Sequence, residues 1–107
     1  MDDIYDITII GGGPSGLYSA FYAGLRDLKT KIIEYKSTLG GKLHIYPEKI
    51  IWDIGGLPAT PAQQVMENLI EQGLTFNPTV CLNTKVDFVT KKDNIFVIET
   101  STGEKHF

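Results

Sequence analysis

Ile7-Thr8-Ile9-Ile10-Gly11-Gly12-Gly13-Pro14-Ser15-Gly16 is the stretch that decides how this chain folds. An apolar segment, Ile4 to Ile10, runs straight into the glycine cluster, and a helical pattern opens near Ser15. Gly11 lets the chain turn sharply where a side chain would obstruct it, and Gly13 leaves room for a ligand to approach the backbone. Gly16 lets the helix lie close on the strands, and small Ala20, one turn later, extends that contact. Pro14 suits a first helical turn because the N–H it lacks would have had no partner there. The first N–H groups of a helix are unpaired and sit at the positive end of its dipole, so a diphosphate placed there satisfies both.

Working outward, Leu17, Ala20, Phe21, Gly24 and Leu25 recur at helical spacing and form the face expected to lie on a sheet. A second apolar segment, Lys31 to Tyr35, follows and carries Glu34, eighteen residues beyond Gly16. A carboxylate at that distance accepts hydrogen bonds from a ribose diol. Strand, glycine turn, helix, strand and acid together fit a dinucleotide-binding βαβ unit. That context raises the motif above an isolated glycine-rich turn.

The 107 residues suffice for one modest domain. A net charge of −3 leaves no electrostatic footprint for nucleic acid or for an anionic membrane surface. Met1-Asp2-Asp3 is acidic with no long apolar run behind it, and no stretch reaches bilayer-spanning length, so a cytoplasmic protein is expected. Asn77-Pro78-Thr79 is excluded from glycosylation by its proline. Cys81, the single cysteine, has no partner for a disulfide, a redox pair or a zinc site and reads as a small hydrophobe.

Ser37 to Ala59 is long, glycine-rich and without a clear period, and loops of this kind inside a compact domain are usually functional. Gly40-Gly41-Lys42-Leu43 follows the acid closely and belongs near the same end of the sheet, which makes Lys42, His44 and Tyr46 candidates for the far half of a cofactor. For His44 a plain surface position is the stronger reading. Thr60-Pro61-Ala62-Gln63 reads as a helix start, with Thr60 the cap, Pro61 the first helical residue and Gln63 closing a capping box. Val65, Met66, Leu69 and Ile70 form that helix's buried stripe and Gly73 ends it. Short β-like runs follow at Thr79 to Leu82, Val86 to Thr90 and Ile95 to Thr100, with a hairpin turn at Lys92-Asp93-Asn94. Ser101-Thr102-Gly103 turns again before Lys105-His106-Phe107, the opening of another strand.

With these elements in place the chain resembles the N-terminal part of a ferredoxin–NADP reductase of the thioredoxin-reductase-like type, a two-dinucleotide-binding flavoprotein family. The resemblance covers essentially all of the sequence. It is carried by Tyr5-Asp6-Ile7 leading into the glycine turn, by Gly40-Gly41, and by Tyr46-Pro47-Glu48-Lys49 followed by Trp52-Asp53. It implies an α/β, FAD/NAD(P)-binding Rossmann-like fold with a parallel sheet, a crossover helix and a β-meander. Residues 1–107 would be the N-terminal portion of the FAD-binding domain, with the NADP-binding domain outside the chain; family members are about three times as long, so a truncated form is expected.

The cofactor-binding residues expected from motif and resemblance together are Gly11, Gly13, Pro14, Ser15, Gly16, Glu34, Lys42, Tyr46 and Val86. By the resemblance Pro14 and Ser15 would face the FAD pyrophosphate, Glu34 the adenosine ribose, Lys42 and Tyr46 the flavin side, and the backbone of Val86 the adenine. Many relatives carry Gln at the position of Lys42; a lysine brings a positive charge that would favour reduced, anionic flavin.

The function so implied is transfer of electrons from NADPH through FAD to ferredoxin or flavodoxin, by a protein that is a homodimer at full length and in which the fragment alone is inactive. Thioredoxin reductase is the alternative within the class, to be told apart by a C-x-x-C beyond Phe107. A non-catalytic dinucleotide-binding module and an NAD-dependent dehydrogenase domain are the alternatives outside it. His44, Glu48 and Asp53 share one loop, but their spacing does not converge two groups on a substrate, so no catalytic residue and no metal ligand is assigned.

Overall fold

The computed structural model describes residues 3–107. Strand β1 (Ile7–Ile10), helix α1 (Pro14–Leu25) and strand β2 (Thr30–Ile33) form the expected unit, with β1 and β2 parallel and Ile9 opposite Ile32. β1 is shorter than the apolar run suggests. The Asp6 carboxylate accepts the Lys29 N–H at 2.7 Å, and Ile4 is exposed, so pairing begins only at Ile7.

After a 3₁₀ turn (Gly41–His44) come β3 (Ile50–Ile51), β4 (Thr60–Pro61), α2 (Ala62–Gly73) and β5 (Thr79–Cys81). β5 runs parallel to β2 with Val80 opposite Ile32, giving the order β1-β2-β5. It therefore extends the parallel sheet, and the meander consists of β6 (Val86–Lys92), β7 (Ile95–Thr100) and β8 (Lys105–His106). Because the strand order advances steadily in one direction, right-handed crossovers put both helices on the same face. The helices accordingly touch: a Cβ built on Gly73 of α2 would lie 2.8 Å from Leu17 Cδ2 of α1.

Leu17, Ala20, Ile32 and Leu39 form the buried cluster between helices and sheet, with Ile9, Leu69, Ile70, Leu74 and Val80 packed around it. Successive strand residues point to opposite faces. Lys31, next to Ile32, therefore leaves the helical side and meets the meander, where its Nζ lies 2.8 Å from His106 Nδ1. Tyr5 N–H donates to the Phe107 carbonyl at 3.0 Å along the same seam.

Three local expectations need correction. On α1 the buried residues are Leu17, Ala20 and Ala23, whereas Leu25 is exposed. Phe21 and Gly24 lean on Phe76, beyond the end of α2, rather than on the sheet. Thr60 does not cap α2. It is held in β4 opposite Ile51, and its hydroxyl donates to the Pro58 carbonyl at 2.6 Å. The first α2 N–H groups find main-chain acceptors instead, Ala62 N–H on Lys49 O at 2.7 Å and Gln63 N–H on Pro47 O at 2.8 Å. The hairpin turn is as read: Asp93 and Asn94 both have positive φ, 52° and 65°, as a two-residue turn matched to strand twist requires. No helix among the described residues is long and apolar enough to cross a membrane.

Candidate functional site

The glycine turn sits at the carboxyl end of β1. Gly11 N–H continues the strand ladder onto Ile33 O at 2.8 Å, and its φ of 109° then reverses the chain, a conformation open to glycine at low cost. A Cβ on Gly16 would collide with the Gly11 carbonyl oxygen, so the close approach of helix to strand is a main-chain contact. Gly13 precedes α1 with no side chain capping the helix, and no acidic residue lies in the first turn. A Cβ on Gly13 would meet nothing nearer than Gly41 Cα at 3.9 Å, so no side chain crowds Gly13 at the helix end. Pro14 and Ser15 follow it and are exposed.

Glu34 follows β2 directly and is 9% exposed. Its Oε1 accepts the Gly12 N–H at 2.7 Å and its Oε2 the Lys36 N–H at 2.8 Å. Its main chain is fixed as well: its N–H donates to Cys81 O at 2.8 Å, and its carbonyl accepts the Thr84 N–H at 2.9 Å. Each carboxylate oxygen keeps further acceptor capacity, so the group is pre-oriented without being saturated. Held this way, it has the acceptor layout a pair of vicinal hydroxyls needs.

The double-glycine loop docks on this framework. Gly40 N–H donates to Gly12 O at 2.9 Å, and a Cβ on Gly41 would stand 3.0 Å from Gly13 Cα. Gly40 and Gly41 both have positive φ, 115° and 63°. The loop thus brings Lys42, in the 3₁₀ turn, and Tyr46 beside a cavity of about 510 Å³ that Lys49, Trp52, Asp53 and Ala62 also line. Lys42 and Tyr46 are exposed, and Lys49 Nζ stands 5.7 Å above the Tyr46 ring. Val86 opens β6 two residues after Thr84, whose N–H holds the Glu34 carbonyl.

The structure therefore gathers Gly11, Gly13, Pro14, Ser15, Gly16 and Glu34 at one end of the sheet, with Val86 close along the chain. Lys42 and Tyr46 stand on the wall of a neighbouring hollow. Their layout suits an elongated ligand: an anionic part over the uncapped helix end, a diol at Glu34, and an apolar or aromatic part toward Tyr46 and Trp52. Sequence reading passed over Gly12 and Leu39. A Cβ on Gly12 would collide with Leu39 Cδ2, and Leu39 is 8% exposed, so these two residues lock the glycine turn to the loop. The visible signal was a third consecutive glycine, one more than the motif uses. The anchoring N–H groups of Lys36 and Thr84 belong to the main chain and leave no trace in residue type. Among the described residues no cluster of three or more His, Cys, Asp or Glu is placed to hold a metal ion.

Residues 9–64 match the NAD(P)-binding Rossmann-like domain family, a span that contains the glycine turn, Glu34 and Gly40-Gly41. Over 107 residues the chain is 59% identical to ferredoxin–NADP reductase 1 of Bacillus anthracis, covering 99% of this chain and 31% of that protein. It is 57% identical over 107 residues to ferredoxin–NADP reductase 3 of Lysinibacillus sphaericus, covering 100% of this chain and again 31% of the relative. Among solved structures, thioredoxin reductase from Streptococcus pyogenes superposes with a TM-score of 0.83 at 23% identity, over 99% of this chain and 33% of that one. The chain spans about a third of the length of these relatives.

Proposed function

Since the chain belongs to the NAD(P)-binding Rossmann-like domain family, we propose that it is the N-terminal portion of the FAD-binding domain of a ferredoxin–NADP reductase of the thioredoxin-reductase-like type. In this reading the NADP-binding domain lies outside these 107 residues. The whole enzyme is a cytoplasmic homodimer that passes electrons from NADPH through FAD to ferredoxin or flavodoxin. Identity of 59% to a ferredoxin–NADP reductase supports the class.

The observation that carries the cofactor assignment is Glu34, buried and doubly anchored by main-chain N–H groups beside an uncapped helix N-terminus. The Glu34 carboxylate holds the adenosine ribose, and its negative charge disfavours a ribose that carries a 2′-phosphate. Gly13, Pro14 and Ser15 receive the pyrophosphate at the helix end, where Gly11 and Gly16 fix the backbone that presents it. Lys42 and Tyr46 orient the isoalloxazine side, and the main chain at Val86 borders the adenine. FAD, when bound, supplies the redox chemistry; the residues of this chain bind and orient it.

NAD would also satisfy Glu34, so the direct test is titration of the purified chain with FAD and with NAD. FAD is expected to bind more tightly, and tighter NAD binding overturns the assignment. Glu34→Gln places an amide donor against one of the two anchoring N–H groups and removes the charge from the ribose contact. A hydrogen bond to a charged group contributes about 1.5–3 kcal/mol, so the Kd for FAD should rise about 10- to 100-fold. An unchanged Kd would remove Glu34 from the site.

A further inference from the structure

We propose that His44 is a positioning residue for the dinucleotide site, acting through Leu39 and Gly40. The imidazole is exposed and remote from the glycine turn in sequence, yet its Nε2 contacts the Leu39 carbonyl and lies 3.3 Å from Thr38 Oγ1. A carbonyl only accepts, so Nε2 carries the proton and donates it, closing the segment from Thr38 to His44 into a ring. The next residue, Gly40, is crowded: a Cβ there would lie 2.9 Å from His44 Nε2 and 2.7 Å from Met66 Sδ. His44 and Met66 both fill the side of Gly40 where a Cβ would stand, and Gly40 has a φ of 115°.

What this turn presents to the site is specific. The Gly40 N–H donates to Gly12 O at 2.9 Å, and the Leu39 side chain fills the place where Gly12 has no Cβ. Gly12 in turn donates its N–H to Glu34 Oε1 at 2.7 Å. A continuous chain of contacts therefore runs from the imidazole through the Leu39–Gly40 peptide and Gly12 to the carboxylate. His44 is not one of the residues proposed to hold the ligand. It fixes the geometry of the group that does, through what its proton holds.

The proposal deepens the FAD reading and rests on it only for its effect on affinity. The loop-holding part is measurable without cofactor, by amide hydrogen exchange on the 107-residue chain. His44→Ala should speed exchange of the Gly40 and Gly12 N–H groups about three- to tenfold, the scale of one hydrogen bond. The amides of Ile32 and Ile33 in β2 should keep their protection. His44→Gln, whose amide nitrogen reaches about as far as Nε2, should restore the original rates, whereas His44→Asn is too short and should behave as the alanine variant does. Unchanged Gly40 and Gly12 exchange in His44→Ala overturns the proposal. So does faster exchange that spreads equally to Ile32 and Ile33, the mark of a general loss of stability. In the FAD titration His44→Ala should raise Kd by a similar factor, with rescue by Gln. If FAD binds no variant and not the parent chain, the functional reading fails while the exchange pattern still decides the role of His44.

Discussion

At the scale of single residues, Gly12 and Gly16 lack side chains for different reasons, and stability measurements should separate them. A Cβ on Gly16 would run into the carbonyl of Gly11, a residue whose N–H is held by Ile33 O of β2, so neither partner has anywhere to go. A Cβ on Gly12 meets the far end of the Leu39 side chain, which can turn aside, and then Glu34 Oε1 at 3.4 Å. Overpacking a rigid contact costs about 3 kcal/mol, at the upper end of the usual range, whereas a contact that yields costs about 1 kcal/mol. Gly16→Ala should therefore lower the urea midpoint far more than Gly12→Ala. The order should reverse for FAD affinity, because displacing Leu39 disturbs the loop that supports Glu34. Equal loss of stability in the two variants would contradict this account. Gly16 and Glu34 were legible in the sequence because the motif fixes their spacing. Gly12 and Leu39 were not, because what makes them matter is a contact between segments almost thirty residues apart.

Among the elements, the join between the parallel sheet and the meander includes a buried polar pair. Lys31 of β2 is 8% exposed and His106 of β8 is 6% exposed, with 2.8 Å between Nζ and Nδ1. The Lys31 ammonium also stands 4.3 Å from the centre of the Tyr5 ring. The ammonium can only donate, so Nδ1 accepts and Nε2 carries the ring proton. Nε2 lies 2.6 Å from Glu104 Oε1 but out of line for a hydrogen bond, so that contact is a close electrostatic one. His106→Leu leaves the Lys31 ammonium without its acceptor and should cost about 1–3 kcal/mol in urea unfolding. Replacing both partners, Lys31→Met with His106→Leu, should recover much of that loss, because a buried pair exchanged for packed apolar groups is often neutral. Purely additive losses in the double variant would show that the two residues do not interact. No local pattern announces such a pair: Lys31 reads as an ordinary strand residue until the meander is laid over it. The same reason hid the membership of β5 in the parallel sheet and the capture of Thr60 by β4. Propensity and capping are local signals, and pairing partners are chosen by tertiary packing. The hairpin at Asp93-Asn94 is legible in the sequence because its information is local.

Over the whole molecule, surface area exceeds what a folded chain of this size normally exposes. The accessible area is 7142 Å² for 11.9 kDa, against about 5,900 Å² from the usual scaling with mass. The radius of gyration, 15.0 Å, is likewise above the roughly 13 Å of a compact domain of this length. Much of the excess is apolar: Tyr35, Trp52, Phe88 and Phe96 are each more than half exposed. A hollow of about 490 Å³ also opens between β1 and the meander, lined by Ile10, Val89, Phe96, Ile98 and Phe107. Contiguous apolar surface of this kind binds apolar probes. The chain should therefore enhance the fluorescence of an anilinonaphthalene dye while its near-ultraviolet circular dichroism stays that of a packed core, which separates a native hollow from a molten state. Phe96→Lys, at a position already exposed, should reduce the dye signal and leave the urea midpoint almost unmoved. Two results would defeat this reading. One is a dye signal that persists in Phe96→Lys; the other is its absence from the parent chain under conditions where light scattering shows a monomer. The hollow and the proposed FAD site are also separable in one experiment. Trp52 lines the cavity beside Lys42 and Tyr46 and is the only tryptophan, so FAD should quench its emission, and dye held against β1 should leave the FAD affinity unchanged.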